Sequence, residues 1–145
     1  MTVMTTAGSS LAISASAPAT QDAAGYNALT YTVGGEITDL GNLGKTYNTV
    51  THNPVASRRV QKIKGSYNNG TMTVKMGRDF SDAGQTLFAA ARDSDSSYAF
   101  RLTLQNGKKM YFQGLVSSFT TEVGTVDQIT GGTVTIELQT DIVEV

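Results

Sequence analysis

Apolar and polar residues alternate most clearly between residues 71 and 76. Met72, Val74 and Met76 share one side of an extended chain, and threonine and lysine fill the intervening positions. A period of two predicts a half-buried strand, which ends at Gly77. Residues 133–145 repeat the pattern and predict one long closing strand. Its inward positions are Val134, Ile136, Leu138 and Ile142, and its outward positions are Thr133, Thr135, Glu137, Gln139 and Asp141.

Two strands rich in apolar residues flank the dipeptide Asn106-Gly107 and predict a β-hairpin. A two-residue turn would pair Leu102 with Tyr111 and would place the two apolar faces on opposite sides of the sheet. A three-residue loop with Gly107 in the left-handed conformation pairs Leu102 with Met110 and Phe100 with Phe112. Because this register keeps the apolar faces together, the sequence predicts the three-residue loop.

One stretch has the features of a helix, over about residues 82–93. Ser81 is a good N-cap, Asp82 is favourable in a first turn, and the following QTLFAAAR is rich in helix formers. The spacing places Leu87, Ala90 and Ala91 on one face, with Phe88 at its border. We expect this short helix to cap one end of a sheet.

Weaker patterns complete the assignment. Residues 11–15 predict a short strand that stops at Pro18, and residues 19–27 predict a loop with one helical turn. The stretches ALTYTV and GEITDLG predict strands separated by a bulge or bend at Gly34-Gly35. The fold class is therefore mainly β, a sandwich or barrel of short antiparallel strands with one flanking helix. We expect one domain over residues 1–145, with a flexible N-terminal arm at 1–10 and a long protruding loop at about 41–70 that can contain strands.

Composition adds a weakly charged surface to this picture. Charged residues make up 16% of the 145 residues, and Gly, Ser and Thr make up a third of the chain, against about 25% charged residues in an ordinary domain. Either threonine covers the outward faces of strands, or neighbouring chains cover surface that would otherwise need charge. A net charge of -1 disfavours a generic binder of polyanions. The sequence shows neither a membrane-spanning run nor a secretory signal, so we expect no Sec export.

The residue types needed for catalysis or metal binding are scarce. Cysteine is absent and His52 is the one histidine, which excludes disulfides, thiolate zinc sites and sites built from several histidines. The carboxylate pairs at residues 79 and 82 and at residues 93 and 95 are typical of helix capping and turns. No glycine-rich segment has the context of a phosphate-binding loop. We therefore expect neither an enzyme nor a cofactor.

The charge between Lys45 and Arg78 is one-sided, with seven Lys or Arg and no acid. This segment is either a solvated edge, where lysines prevent aggregation, or a basic arm that docks on an acidic surface of an identical neighbour.

The order of these elements resembles the major tail tube proteins of long-tailed, siphophage-type bacteriophages. The resemblance covers about residues 11–145 and rests on the succession of PATQDAAGYNAL, GEITDLG, TYNTVTHNPVASRRVQKIKGSYNNG, TMTVKMG, DAGQTLFAAARD, YAFRLTLQNGKKMYFQGLVSSF and TGGTVTIELQTDIVEV. It implies a structural virion protein of the phage tail, assembled in the host cytoplasm. Hexameric rings of the protein would stack into a hollow tube around a tape-measure protein, bounded by tail-tip and tail-terminator proteins. Phage DNA would pass through without specific binding.

The resemblance also implies roles for particular residues. The intersubunit arm would carry Lys45, Tyr47, His52, Arg58, Arg59, Lys62 and Lys64. The candidate acids for lining the lumen or docking the arm are Glu36, Asp39, Glu122 and Glu137. The alternative is a small β-sandwich binding module, such as a capsid decoration or receptor-binding protein, which would stop at a closed oligomer instead of growing a filament.

Overall fold

A computed structural model describes residues 3–145 of the chain. Of the predicted N-terminal arm, residues 1–2 lie outside the described residues, and residues 3–9 precede the first strand with a single turn between Thr6 and Ser9. The strands are β1 (Ser10–Ser14), β2 (Thr32–Val33), β3 (Ile37–Asp39), β4 (Thr46–His52), β5 (Gln61–Asn68), β6 (Thr71–Gly77), β7 (Tyr98–Thr103), β8 (Lys109–Glu122), β9 (Gly131–Leu138) and β10 (Val143–Glu144). The helices are α1 (Ala23–Asn27) and α2 (Ala83–Arg92).

The main sheet is antiparallel, with the strand order β2-β1-β7-β8-β9-β6-β3, and β10 pairs with β8 beside this path. Laid flat, the six spacings between β2 and β3 would span about 29 Å, at about 4.8 Å each. However, β2 ends at Val33 and β3 begins at Ile37, and the four residues from one to the other span at most about 14 Å. The sheet must therefore curve until its two edges nearly meet. The predicted mainly-β fold is confirmed, in the form of an open barrel.

The short connection between β2 and β3, residues 34–36, is called the seam. Its backbone bonds to both edges of the sheet: Gly34 N donates to Leu11 O at 2.9 Å and Glu36 O accepts from Gly77 N at 2.8 Å. Of the predicted bulge or bend at Gly34-Gly35, the bulge is wrong, because the chain bends here out of one strand and enters another at the opposite edge of the sheet. The partner of a short strand is set by distant sequence, so local pattern alone could not show this crossing.

The core fills the concave side of the sheet and is closed by α2. Phe88 of α2 is fully buried and stacks on Phe100, which stacks on Phe112, with ring centroids 6.5 Å and 5.4 Å apart. Phe119 meets Phe88 edge-on at 6.2 Å. Aromatic pairs in these geometries add to the stabilisation from burial alone. The flanking helix expected from the sequence thus packs into the mouth of the open barrel.

Two details of α2 differ from expectation. Asp82, not Ser81, is the N-cap, and its carboxylate accepts from Gln85 N at 2.9 Å. Phe88 lies at the centre of the buried face, not at its border, and Ala90 is exposed. The face is rotated because the aromatic ring, being larger than alanine, takes the position that buries most apolar area.

The second helix, α1, covers part of the convex side of the sheet, and it confirms the predicted helical turn. Asp22 caps it by accepting from Gly25 N at 2.8 Å. Tyr26 stacks on Tyr111 with centroids 5.4 Å apart, and Tyr111 Oη donates to Asn27 Oδ1 at 2.5 Å. Only the part of the convex side near β7, the start of β8 and β10 is covered in this way.

The β7–β8 hairpin has the predicted register. Leu102 faces Met110 and Phe100 faces Phe112. Leu104 O accepts from Gly107 N at 2.9 Å, and Gly107 has a φ of 87°. The three-residue loop, residues 105–107, is confirmed.

The predicted long closing strand is interrupted, so that prediction is wrong in part. Leu138 pairs with Gly114 but Val143 pairs with Tyr111, which leaves two extra residues in the closing strand. The hydroxyl of Thr140 accepts from Gln113 N at 3.0 Å and replaces the missing ladder bond. Because the insertion is an even number, the faces keep their sides, and Ile142 packs against the core as expected.

Candidate assembly surfaces

A hairpin of β4 and β5 projects from the end of the sheet at which β6 begins, which is called the lower end. In the part of the chain that the structure describes, these two strands pair only with each other. Every residue of both strands is exposed except the half-buried Gly65. The segment expected as a long protruding loop is therefore an ordered arm, residues 46–68, called the arm hairpin. An isolated two-stranded hairpin is at best marginally stable in water, so such an element is typical of a surface that is covered on assembly.

Register divides the arm hairpin into two sides, because residues directly opposite on paired strands share a face. One side is basic and aromatic. It holds Tyr47, Thr49 and Thr51 of β4 opposite Tyr67, Lys64 and Lys62 of β5. The other side holds the pair Val50 and Ile63, both more than half exposed, beside the pair His52 and Gln61.

The base of the arm hairpin is braced by cations over aromatic rings. Tyr47 and Tyr67 lie with centroids 5.3 Å apart. Lys45 Nζ lies 4.3 Å from the Tyr67 centroid, and Lys64 Nζ lies 4.9 Å from that of Tyr47. Lys45 also reaches Asp141 Oδ1 at 3.8 Å. Such contacts are each modest at an exposed site, and they connect Lys45 and both strands of the arm hairpin at its base, with Asp141 beside them.

The structure distributes the predicted arm residues over the whole arm hairpin. Lys45 lies at the base, and Tyr47, Lys62 and Lys64 lie on the basic side. His52 lies on the opposite side, beside Val50. Arg58 and Arg59 lie in the exposed tip between the strands. The tip and the basic side together carry four of the five cations of residues 45–68, a segment without an acid.

A second open surface is the uncovered part of the convex side, called the threonine face. It consists of Thr71, Thr73 and Lys75 of β6, Thr133, Thr135 and Glu137 of β9, Thr120 and Glu122 of β8, and Asp39 of β3. These residues lie opposite one another across four strands, and their intervening neighbours form the core. The face is neutral and hydroxylic, with three acids and one base. The threonine enrichment in the composition is thus concentrated on one exposed wall.

Three of the four predicted acids lie on the threonine face. Glu137 accepts from Thr71 Oγ1 and Glu122 accepts from Thr133 Oγ1, both at 2.6 Å. Asp39 faces Lys75 across the strands. Glu36 lies instead in the seam, where it adopts a φ of 61°.

The remaining carboxylates near the helices have structural partners. The Ser81 hydroxyl donates to Asp79 at 2.7 Å and lowers the pKa of that carboxyl. Arg92 donates to Asp93 at 3.2 Å and lowers its pKa in the same way. A cavity of about 390 Å³ lies between residues 6–9 and β3, and Asp39 is the one ionisable residue of its lining. These arrangements offer no nucleophile paired with a base.

Two absences bear on other classes of function. Within residues 3–145, no three His, Cys, Asp or Glu side chains are grouped as a metal site would require. In the same part of the chain, none of the helices has both the length and the apolar character of a membrane span.

Sequence reasoning missed the exposed apolar residues. Val50 and Ile63 are exposed on the arm hairpin, and Val123, Val126 and Ile129 are exposed in the connection between β8 and β9. The sequence contains a signal for the exposed residues between β8 and β9, because VDQI lies between two glycines and has neither a strand nor a helix pattern. Apolar residues in such a segment have no core to enter.

Comparison with known proteins agrees with this architecture. The family described as "Phage tail tube protein, TTP" matches residues 7–145. No curated protein matches the chain. A chain of the six-fold symmetrised anti-feeding prophage (AFP) baseplate is similar, with a TM-score of 0.72 and 11% identity over 100% of this chain and 97% of that one.

Two further solved structures share the fold. A chain of the SPP1 tail tube has a TM-score of 0.65 and 11% identity, covering 94% of this chain and 75% of that one. A chain of the structure of the PVC sheath/tube terminator, from an extracellular contractile injection system in its extended state, has a TM-score of 0.61 and 9% identity, covering 99% of this chain and 96% of that one. The fold, the open surfaces and the family match over residues 7–145 lead to one conclusion: the chain belongs to the phage tail tube protein family, and it is a structural component of the virion that self-assembles to form the tail tube and is not an enzyme.

Proposed function

We propose that six copies of this chain form a ring and that the rings stack into a hollow tube around a tape-measure protein. Tail-tip and tail-terminator proteins close its two ends, and phage DNA passes through the lumen without specific binding. The whole chain, residues 1–145, acts as one tail-tube domain, and the part of the predicted N-terminal arm (residues 1–10) that precedes β1 orders on assembly. The six-fold symmetrised AFP baseplate contains a chain of the same fold, which supports a ring of six.

The arm hairpin is the intersubunit arm in this proposal. The observation that supports it is an ordered element with both strands exposed, five cations over residues 45–68 and no acid. An element of this kind gains stability only when another surface covers it. Its cations suit an acidic surface on a neighbouring copy.

The threonine face is the wall of the lumen. Each phosphate that a wall neutralises adds affinity for DNA and slows its passage. The threonine face offers hydroxyls and three acids against one base, so it presents a weakly repelling wall. Asp39, Glu122 and Glu137 supply that negative charge, and Glu36 lies apart from it in the seam.

A charge-reversal variant tests the arm. Arg58→Glu with Arg59→Glu leaves a folded monomer, since exposed substitutions rarely unfold a protein, and it prevents tube growth. The matched control is Lys108→Glu with Lys109→Glu, which makes the same change in charge at the last residue before β8 and the first residue of β8. Normal tubes from the arm variant would refute the role of the arm hairpin.

A second variant tests the wall. Thr73→Lys with Thr135→Lys adds two cations to the middle of the threonine face, where these residues face each other. Tubes of this variant are expected to retain DNA at low salt and to release it as salt rises. Tubes that retain no more DNA than the wild type would contradict the assignment of the lumen.

A further inference from the structure

The connection between β8 and β9, residues 123–130, exposes apolar side chains at the end of the sheet opposite the arm hairpin. This segment is called the upper loop. Val126 is 97% exposed, Ile129 is 87% exposed and Val123 is 68% exposed. The loop is ordered by Gln128, whose side chain accepts from Thr125 N at 3.0 Å and whose backbone N donates to Thr125 O at 3.1 Å. It therefore presents a fixed apolar surface to solvent, which is typical of an interaction site.

The pairing of β6 with β9 places the upper loop and the arm hairpin at opposite ends of the molecule. Thr71, which follows the arm hairpin, pairs with Glu137 at the lower end. Gly77 pairs with Gly131, the first residue after the upper loop. The arm hairpin also exposes apolar side chains, with Val55 fully exposed and Val60 half exposed in its tip. Each end of the sheet thus carries apolar residues that none of residues 3–145 covers in the monomer.

Charge is distributed along the same direction. The segments near the upper loop, residues 78–82, 92–95 and 122–130, hold six acids and two bases. The arm hairpin and its base, residues 45–68, hold five bases and no acid. The two ends are therefore complementary in charge as well as alike in apolar character. Complementary charge steers association and selects the partner.

We infer that the upper loop of one copy is the docking site for the arm hairpin tip of a second copy. Val126 and Ile129 would pack against Val55 and Val60, and Arg58 and Arg59 would meet Asp127. This inference rests on the proposed function and names the partner surface of its arm.

A contact between opposite ends is heterologous, so each bound copy still offers one free end of each kind. A series of such contacts continues along the axis instead of closing. The upper loop therefore holds one ring to the next, and contacts within a ring lie elsewhere.

The first test removes the apolar surface of the upper loop. Val126→Ser with Ile129→Ser is expected to leave rings intact and to raise the protein concentration needed for tubes about tenfold or more. The control is Val145→Ser, an exposed valine beside the lower end of β8. Tubes at wild-type concentration, or a variant that loses rings together with tubes, would overturn the inference.

The second test uses the absence of cysteine from the chain. Tubes of a double variant, Val55→Cys with Val126→Cys, are expected to give under oxidation a ladder of covalent dimers, trimers and longer species. Each single variant should remain monomeric, and the control pair Val55→Cys with Val145→Cys should give no ladder. Wild-type tubes with no ladder from the test pair would overturn the inference and leave the proposed function standing. A wild-type chain that forms no tubes would overturn both.

Discussion

Substitution of Gln85 should lower the free energy of unfolding of the monomer strongly, because one side chain connects three parts of the fold. Gln85 lies on α2, is fully buried, and its side-chain amide makes four hydrogen bonds. Its oxygen accepts from Arg78 Nη1 and from Asp79 N, both at 3.0 Å. Its nitrogen donates to Gly35 O at 3.1 Å and to Gly77 O at 2.9 Å. One amide therefore joins the seam, the end of β6 and the start of α2.

The variant Gln85→Leu keeps most of the volume and removes all four bonds. Arg78 is half-buried and can turn its guanidinium to water, so three backbone groups bear most of the loss. At about 0.5–1.5 kcal/mol for each bond, the free energy of unfolding should fall by about 2–4 kcal/mol. Gln85→Glu keeps the shape of the side chain but places an oxygen, which cannot donate, against the carbonyls of Gly35 and Gly77. A similar fall in the free energy of unfolding of that variant would show that the loss comes from the hydrogen bonds and not from altered packing.

Urea denaturation followed by far-ultraviolet circular dichroism, at a concentration below that of tube growth, measures this difference. The control is Gln105→Leu, the same change at an exposed position whose amide makes one 3.5 Å contact with Thr5. It should shift the free energy of unfolding by less than about 0.5 kcal/mol. If Gln85→Leu also stays within that range, the amide does not hold the seam closed and the reasoning fails.

Three further changes test local features of the fold. Gly84→Ala would place a Cβ 2.5 Å from Val33 O and from Gly34 Cα, so α2 must move. Thermal denaturation should show that the free energy of unfolding falls by about 2 kcal/mol or more. An unchanged melting temperature would contradict this packing. The new Cβ of Gly107→Ala would meet no atom within 4 Å, but the residue would have to keep a φ of 87°. The same measurement should therefore show a smaller fall in the free energy of unfolding, about 1 kcal/mol. A larger fall than that of Gly84→Ala would contradict both the close packing at Gly84 and the open turn at Gly107. The hydrogen bond from Gly25 N lowers the pKa of Asp22, so its stabilisation is present above the ordinary pKa of about 3.9 and is lost as the pH falls through the lower folded value. Asp22→Asn keeps an acceptor oxygen and should weaken the acid dependence of stability below about pH 4, whereas an unaltered acid dependence would count against this role.

Local pattern predicted the elements whose partners lie nearby in the chain. The β7–β8 register followed from a single constraint, that Phe100 and Leu102 must share a face with Phe112 and Met110. The limits of α2 followed to within one residue from the helix formers, although the N-cap is Asp82 and not the predicted Ser81. In both cases a few adjacent residues contain the whole physical cause.

The features that could not be predicted depend on contacts between distant residues. The seam crosses from one sheet edge to the other because β2 pairs with β1 and β3 pairs with β6, and no local pattern encodes that choice. Gln85 is read as an ordinary helix former until its partners at Gly35 and Gly77 are known.

The candidate surfaces follow the same division. The one-sided charge of the arm is visible in the sequence, but its two sides depend on the β4–β5 register and its shift after Tyr47. The threonine face needs four strands in the correct order before its residues become one wall. The upper loop can be interpreted as a docking site only once the β6–β9 pairing shows that it lies at the end of the sheet opposite the arm hairpin.

Electron microscopy of the purified protein over a range of concentrations tests the central claim most directly. We expect hollow tubes of stacked six-fold rings above a critical concentration, growing in length as concentration rises, because opposite ends of each copy bind one another. Particles that stay at one closed size at every concentration would contradict this account. They would favour the binding-module interpretation, in which the arm hairpin and the threonine face serve a partner other than a second copy of the chain.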